Sequence, residues 1–286
     1  MRDRVISLLR KKKLLITGSR GFLGRHLSAY LDSLPVRFSV YPGDVRDIPS
    51  LKERFDTVIH LAGFTKVDNL ITETELFDSN VTGTSAVMHY CRKRGAACVL
   101  ASSSAVYKPV LSNRRLSEGA ALSPSGAYGI SKMLAEHICR YFSENEGVPV
   151  ISLRIFNMYG PGQKSPFLIP YMKDIFARGD KLAVNTPFAV RDYVYVSDVV
   201  NALISACARV RRGFAALNVG TGDGHSVEDV ARIFARIIGV KPRFVHGKNP
   251  PEKDFVVADN TRIRKELGWV SRVNLERGLF LVNEGA

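Results

Sequence analysis

Cysteine is scarce and scattered in this sequence. Cys91, Cys98, Cys139 and Cys207 form no C-x-x-C pair, so no metal site and no disulfide framework is expected. A chain of 286 residues has core enough to do without either. The natural compartment for such thiols is a reducing cytoplasm. Long apolar runs are missing as well. The opening MRDRVISLLRKKK holds only a few apolar residues in a row, too short for the core of a secretory signal and far too short to span a bilayer. A small amphipathic helix or a frayed extension is expected there. No repeat, low-complexity linker or Pro/Gly-rich seam divides the chain. Acidic residues are in deficit, 27 against 41 Lys and Arg, for a formal charge of +14. A positive field of this size suits an anionic partner: nucleic acid, a membrane surface or a small molecule. Apart from Lys11–Lys13 and Arg209, Arg211 and Arg212, the basic residues are dispersed. That argues against nucleic acid and leaves a small anionic ligand as the better reading.

What is present is an alternation. Lys13–Thr17 is a short apolar run closed by glycines, and Phe22, Leu23, His26, Leu27, Tyr30 and Leu31 follow at helical spacing. Further apolar runs at 57–61, 97–101, 150–154 and 216–219 alternate with helical patterns at 80–94, 127–145 and 226–238. Such alternation predicts an α/β protein of Rossmann type, a doubly wound parallel sheet with helices on both faces. From about residue 160, prolines and glycines break the pattern into shorter pieces. Residues 1–159 and 191–219 are expected to build the sheet domain, and 160–190 with 220–286 a smaller lobe. A ligand is expected between the two, at the carboxyl ends of the strands.

The turn Thr17-Gly18-Ser19-Arg20-Gly21-Phe22-Leu23-Gly24 lies between the first strand and helix. Its glycines permit a tight turn and close backbone approach, which leaves helix N–H groups and the helix dipole free to hold a pyrophosphate. A dinucleotide such as NAD or NADP is therefore expected on Gly18 to Gly24. The acidic residue that usually meets the adenosine ribose has no clear counterpart. The second strand, 36–41, runs through Pro42 into Gly43-Asp44-Val45, making Asp44 the nearest carboxylate. Arg20 would instead fork onto a 2′-phosphate, so the reading leans slightly to NADP.

Tyr128 and Lys132 fall one helical turn apart on one face. A phenol with an ordinary pKa near 10 is a poor base at neutral pH. A nearby ammonium favours the phenolate, so a lowered Tyr128 pKa is expected. Upstream, Ser102, Ser103 and Ser104 follow an apolar run and so sit at a strand's carboxyl end. A hydroxyl there can orient an alcohol or ketone and steady its developing charge. No G-x-S-x-G elbow surrounds these serines, which speaks against a Ser-His-Asp hydrolase.

Together these segments resemble the extended short-chain dehydrogenase/reductases, in particular the NAD-dependent epimerase/dehydratase branch that acts on nucleotide sugars. The resemblance spans nearly the whole chain. It includes His60-Leu61-Ala62-Gly63, Asn80-Val81-Thr82-Gly83-Thr84, Arg154-Ile155-Phe156-Asn157, Arg191-Asp192-Tyr193-Val194-Tyr195, Asn218-Val219-Gly220 and Glu266-Leu267-Gly268-Trp269. It implies Ser103 as the catalytic hydroxyl, four residues before Tyr107, with Ser104 the near alternative. Tyr128 would be the acid/base, and Lys132 would lower its pKa and hold the nicotinamide ribose. Gly18 to Gly24, Asp44, Val45, Leu61, Ala62, Gly63 and Asn80 would meet the cofactor. Ser104, Asn157, Arg191 and Lys248 would meet the substrate. A homodimer through the helices near 80–94 and 127–145 is also implied.

Three departures shape the functional expectation. Dehydrating members carry an Asp-Glu pair after the catalytic threonine, where this chain has Ser104-Ala105. Epimerisation at the sugar C4 is therefore favoured, with 4-keto-sugar reduction as the alternative and a non-catalytic dinucleotide sensor a distant third. The segment between Gly24 and Val58 is compressed. Finally, Asn249-Pro250-Pro251-Glu252 stands where relatives often show R-x-G-D, leaving Lys248 as a point charge in place of a guanidinium fork.

Overall fold

Strands such as Val150–Ile155 and Thr57–His60 are buried at every position, so neither face of the sheet they build can meet water. The computed structural model, which describes residues 2–65, 71–108, 110–111, 113–247 and 254–285, resolves this with helices on both faces. The order begins α1 (Arg2–Leu9), β1 (Lys13–Thr17), α2 (Phe22–Asp32), β2 (Arg37–Val40) and β3 (Thr57–His60). It continues with α3 (Glu73–Phe77), α4 (Gly83–Arg94), β4 (Ala97–Ser103), α5 (Ala127–Glu146) and β5 (Val150–Ile155). Then come β6 (Asn157–Tyr159), α6 (Leu168–Arg178), β7 (Leu182–Val184), β8 (Ala189–Tyr195), α7 (Val196–Arg209) and β9 (Phe214–Val219). The chain closes with β10 (Gly224–Ser226), α8 (Val227–Ile238), β11 (Phe244–His246), β12 (Asp254–Val256), α9 (Thr261–Leu267) and α10 (Leu275–Glu284).

Six parallel strands form the main sheet in the order β2-β1-β3-β4-β5-β9. The direction of winding reverses at β1 and β3, which opens a crevice at their carboxyl ends. Along β1 the side chains alternate between two cores. Leu14 and Ile16 pack with α1, α2 and α7 through Leu9, Leu27, Leu31 and Leu203. Leu15 packs with α4 and α5 through Met88, Cys91, Cys139 and Phe142. Leu27 and Leu31 are fully buried and each contributes roughly 1.5–3 kcal/mol. All four cysteines lie inside these cores. Among the described residues no helix is long and apolar enough to cross a membrane, and no three metal-ligating side chains converge.

One strand departs from the sequence expectation. Residues 191–195 do not return to the main sheet, because β8 pairs with β6, β10 and β12 in a second, smaller sheet. The edge beside β5 is taken instead by β9. An apolar run shows that a strand is buried, not which sheet receives it. Residues of the second sheet meet the carboxyl ends of the main one, and β7 with β11 forms a separate parallel pair.

Candidate active site

The site begins with a turn that only glycine can make. At Gly18 φ is 73°, and a Cβ there would stand 2.5 Å from the Ala62 amide nitrogen; at Gly24 it would stand 2.3 Å from the Gly18 carbonyl oxygen. Two backbone segments therefore touch where a side chain would hold them apart. Gly21 caps α2 in extended conformation without a side-chain hydrogen bond, and the first turn of α2 carries no acidic residue. The positive end of this helix is thus left without a protein counter-charge of its own. A diphosphate fits such a cradle.

Gly18, Gly21, Phe22, Leu23 and Gly24 form one wall of a cleft of about 800 Å³. Leu61 and Gly63 after β3, Ser103 at the end of β4 with Ser104 after it, and Tyr128 and Lys132 on α5 form its floor. Asn157 on β6 and Arg191 on β8 bring the second sheet into the opposite wall. Among the described residues lining the cleft there is no carboxylate.

Helical spacing brings Tyr128 and Lys132 onto one face of α5, with the Lys132 Nζ 6.0 Å from the Tyr128 ring centre. That ammonium is buried and donates to the Ala101 carbonyl at 3.0 Å. Burial brings its pKa down to about 8, against the opposing pull of Glu136 and Cys139. The Ser103 hydroxyl accepts from the Ala105 N–H at 3.1 Å and shares a hydrogen bond with the Tyr128 hydroxyl. Here the lowered phenol pKa expected from the sequence is reversed. Burial raises Tyr128, and the Ser103 hydrogen bond offsets only part of the rise. The Lys132 ammonium is engaged with the Ala101 carbonyl and is not among the groups that shift Tyr128.

Beneath the cleft lies a buried polar chain. Thr17 Oγ1 lies 2.8 Å from His60 Nδ1, and His60 Nε2 lies 3.0 Å from Thr84 Oγ1. Thr84 Oγ1 donates to the Asn80 carbonyl at 2.6 Å, so it accepts from His60 and leaves Nδ1 to accept from Thr17. Burial, then the Lys132 charge, lower the His60 pKa to about 3 and keep the ring neutral. Asn80 lies in a π-helical turn, Asp78–Thr82, just before α4, a local widening that recurs near functional sites. Its side chain accepts from the Phe64 N–H at 2.8 Å and donates to the Phe64 carbonyl at 3.0 Å and to Ser131 Oγ at 2.9 Å. It thereby ties the segment after β3 to α5.

Other expected residues are placed differently. Asp44 caps its own turn and forks onto Arg46, and that hydrogen bonding holds its carboxyl at about 2. Val45 is buried against Gly83. Neither lines the cleft. Arg20 is exposed, its carbonyl accepting from Arg25. Ser19 packs against Gly24 and Ala62 against Gly18 through their backbones. Lys248 lies outside the described residues.

Residues 14–220 match the family model described as the NAD dependent epimerase/dehydratase family. The chain belongs to that family. It is 28% identical to a UDP-glucose 4-epimerase of Streptomyces lividans, over 90% of this chain and 91% of that protein. It is also similar to two solved structures, each covering 96% of this chain and 98% of the other, with a TM-score of 0.86. One is MoeE5 in complex with UDP-glucose and NAD, 30% identical; the other is RMD from Pseudomonas aeruginosa complexed with NADPH, 27% identical. Within this NAD dependent epimerase/dehydratase fold, the sequence reading overlooked Thr17, Thr84 and Ser131. Each is a small hydroxyl residue inside a recognised segment, with nothing local to mark its role. It also overlooked Asp254, which forms an ion pair with Arg191 from 63 positions away.

Proposed function

We propose that this chain is an NAD(P)-dependent nucleotide-sugar 4-epimerase. The observation that carries the proposal is the convergence of Ser103, Tyr128 and Lys132 beside the glycine turn, in a cleft whose described lining includes no carboxylate. Gly18 to Gly24, Leu61 and Gly63 would hold the dinucleotide, with Lys132 at the nicotinamide ribose. When bound, that cofactor supplies the hydride acceptor and donor. Ser103 orients the sugar hydroxyl, and Tyr128 takes its proton and later returns it. With the cofactor bound, the Lys132 charge would lower the cost of the phenolate, which it does not do in the protein as it stands. Asn157 and Arg191 would face the diphosphate of the substrate. Residues 1–159 with 191–219 would act as the cofactor domain and the remainder as the substrate lobe, with β8 contributing Arg191 from the second sheet.

Ser104 and Ala105 offer no acid/base pair for 4,6-dehydration, which favours epimerisation or ketone reduction. A 4-keto-6-deoxy-sugar reductase is the second reading. It is favoured by the exposed Arg20, by Asp44 being engaged with Arg46, and by relatives of similar identity such as the GDP-6-deoxy-D-mannose reductase of Pseudomonas aeruginosa. The same observations support the lean to NADP. Four buried thiols suit a reducing cytoplasm, and the exposed stripe Ile130, Leu134 and Tyr141 on α5 suits a homodimer through α4 and α5.

Incubating the purified protein with UDP-, GDP- and dTDP-sugars distinguishes these readings. An epimerase interconverts C4 epimers with no net change in nicotinamide absorbance. Stoichiometric NADPH consumption with a 4-keto-6-deoxy sugar nucleotide would make reduction the primary activity. Tyr128→Phe is expected to lower turnover about 10²–10⁴-fold with cofactor binding kept; unchanged turnover would leave Tyr128 out of the chemistry.

A further inference from the structure

The one described cation on the second-sheet wall of the cleft, Arg191, is already engaged. Its Nη2 donates to Asp254 Oδ2, and its Nη1 donates to the Val190 carbonyl at 3.0 Å and to the Asp254 carbonyl at 3.3 Å. Asp254 opens β12, which runs beside β8, and it stands behind Arg191 rather than in the cleft wall.

The pair is partly exposed and differs from the buried carboxylate contacts of the molecule. Asp192, the next residue on β8, accepts from the Thr221 N–H, the Thr221 hydroxyl, the Gly222 N–H and the Ala258 N–H, using both oxygens. Glu136 is gripped through both oxygens by Arg154 and accepts from Ser152 as well. Those carboxylates are fully satisfied and serve as fasteners. Asp254 uses one side-chain oxygen only, and its Oδ1 is a buried atom with no partner among the described residues. A buried acceptor left unmet weakens the case for a contact kept purely for stability.

We propose that Asp254 is an internal counter-anion that neutralises Arg191 and competes with the phosphates of the substrate for its guanidinium. This deepens the nucleotide-sugar reading and rests on it. A diphosphate entering the cleft meets a pair with no net charge rather than a free cation, and its own negative charge is repelled by the carboxylate. Asp254 therefore holds nucleotide affinity down and hastens release of the diphosphate product.

The test is calorimetric titration of UDP into the wild-type protein, Asp254→Asn, Arg191→Ala and the double variant. Asp254→Asn keeps the shape and removes the charge, and Asp254→Ser serves as a second variant should the first fail to fold. The expected result is a Kd for UDP at least fivefold lower in Asp254→Asn than in the wild type. That gain should shrink at 0.5 M salt and vanish in the Arg191→Ala background. Weaker UDP binding in both Asp254 variants would make Asp254 a simple tether for Arg191 and overturn the inference while leaving the substrate reading intact. If the wild type binds neither UDP, GDP nor dTDP, the substrate reading itself falls, and the inference with it.

Discussion

Tyr128 lines the cleft, and burial holds its hydroxyl above the ordinary pKa although the Ser103 hydrogen bond offsets part of the rise, so the base of the proposed reaction is costly to generate in the protein as it stands. Its spacing from Lys132 was legible because four residues make one helical turn. The net shift was not, because burial depends on what the whole fold lays over the ring. His60 teaches the same lesson. In the sequence it is one letter of a recognised segment; in the fold it is a neutral ring between Thr17 and Thr84. Folded, it takes up a proton only near pH 3; unfolded, it does so near pH 6.5. Between these values the unfolded chain binds the extra proton, so this stabilisation is complete above pH 6.5. It is lost as the pH falls, at about 1.4 kcal/mol per unit. The difference in unfolding free energy between wild type and His60→Gln should narrow by about 2 kcal/mol from pH 7 to pH 5, measured by urea denaturation. A constant difference would mean that His60 is not held neutral.

The glycine turn, the helix after it and the strand-helix alternation could be read from the sequence because each depends on local chemistry: a φ that only glycine adopts readily, or a period of two or 3.6 residues. The element that brings Asn80 inward could not. Its widened turn does not follow the α-helical period, so the 80–94 pattern marks a helix that in fact becomes regular at Gly83. Pairing partners are equally hidden, as β8 illustrates by joining the second sheet. The widened turn matters because Asn80 meets both backbone groups of Phe64 and the Ser131 hydroxyl. Asn80→Ala strands these buried groups, and the expected loss is about 1–3 kcal/mol of stability. The dinucleotide should bind more weakly as well, because the segment 61–65 loses its tether to α5. Thermal unfolding and a nicotinamide fluorescence titration check the two effects. A loss of stability with cofactor affinity unchanged would separate this turn from the site.

The proposed homodimer makes a claim about the outside of the molecule. Ile130, Leu134 and Tyr141 lie along α5 and are exposed, an apolar stripe that asks for cover. The double change Leu134→Glu and Tyr141→Glu is expected to convert a dimer to a monomer in light scattering coupled to size exclusion. A monomeric wild-type protein would refute the assembly. The interior makes a different claim. Arg154 on β5 donates to the buried Glu136, to the Tyr107 hydroxyl at 2.9 Å and to the Glu118 carbonyl at 3.1 Å. Tyr107 donates to Asn218, whose amide in turn donates to the Leu116 and Asp259 carbonyls. One buried guanidinium thus joins the main sheet to the loop at 116–118 and, through Tyr107 and Asn218, to Asp259. Moving that loop and Asp259 away would cost the guanidinium its Glu118 contact and the Asn218 amide its two acceptors, at about 1–3 kcal/mol for each buried group left unmet, while the pair with Glu136 stays within the main-sheet body. Tyr107, which lines the cleft, is thereby fixed from both sides, and a ligand has to fit that part of the wall as it stands.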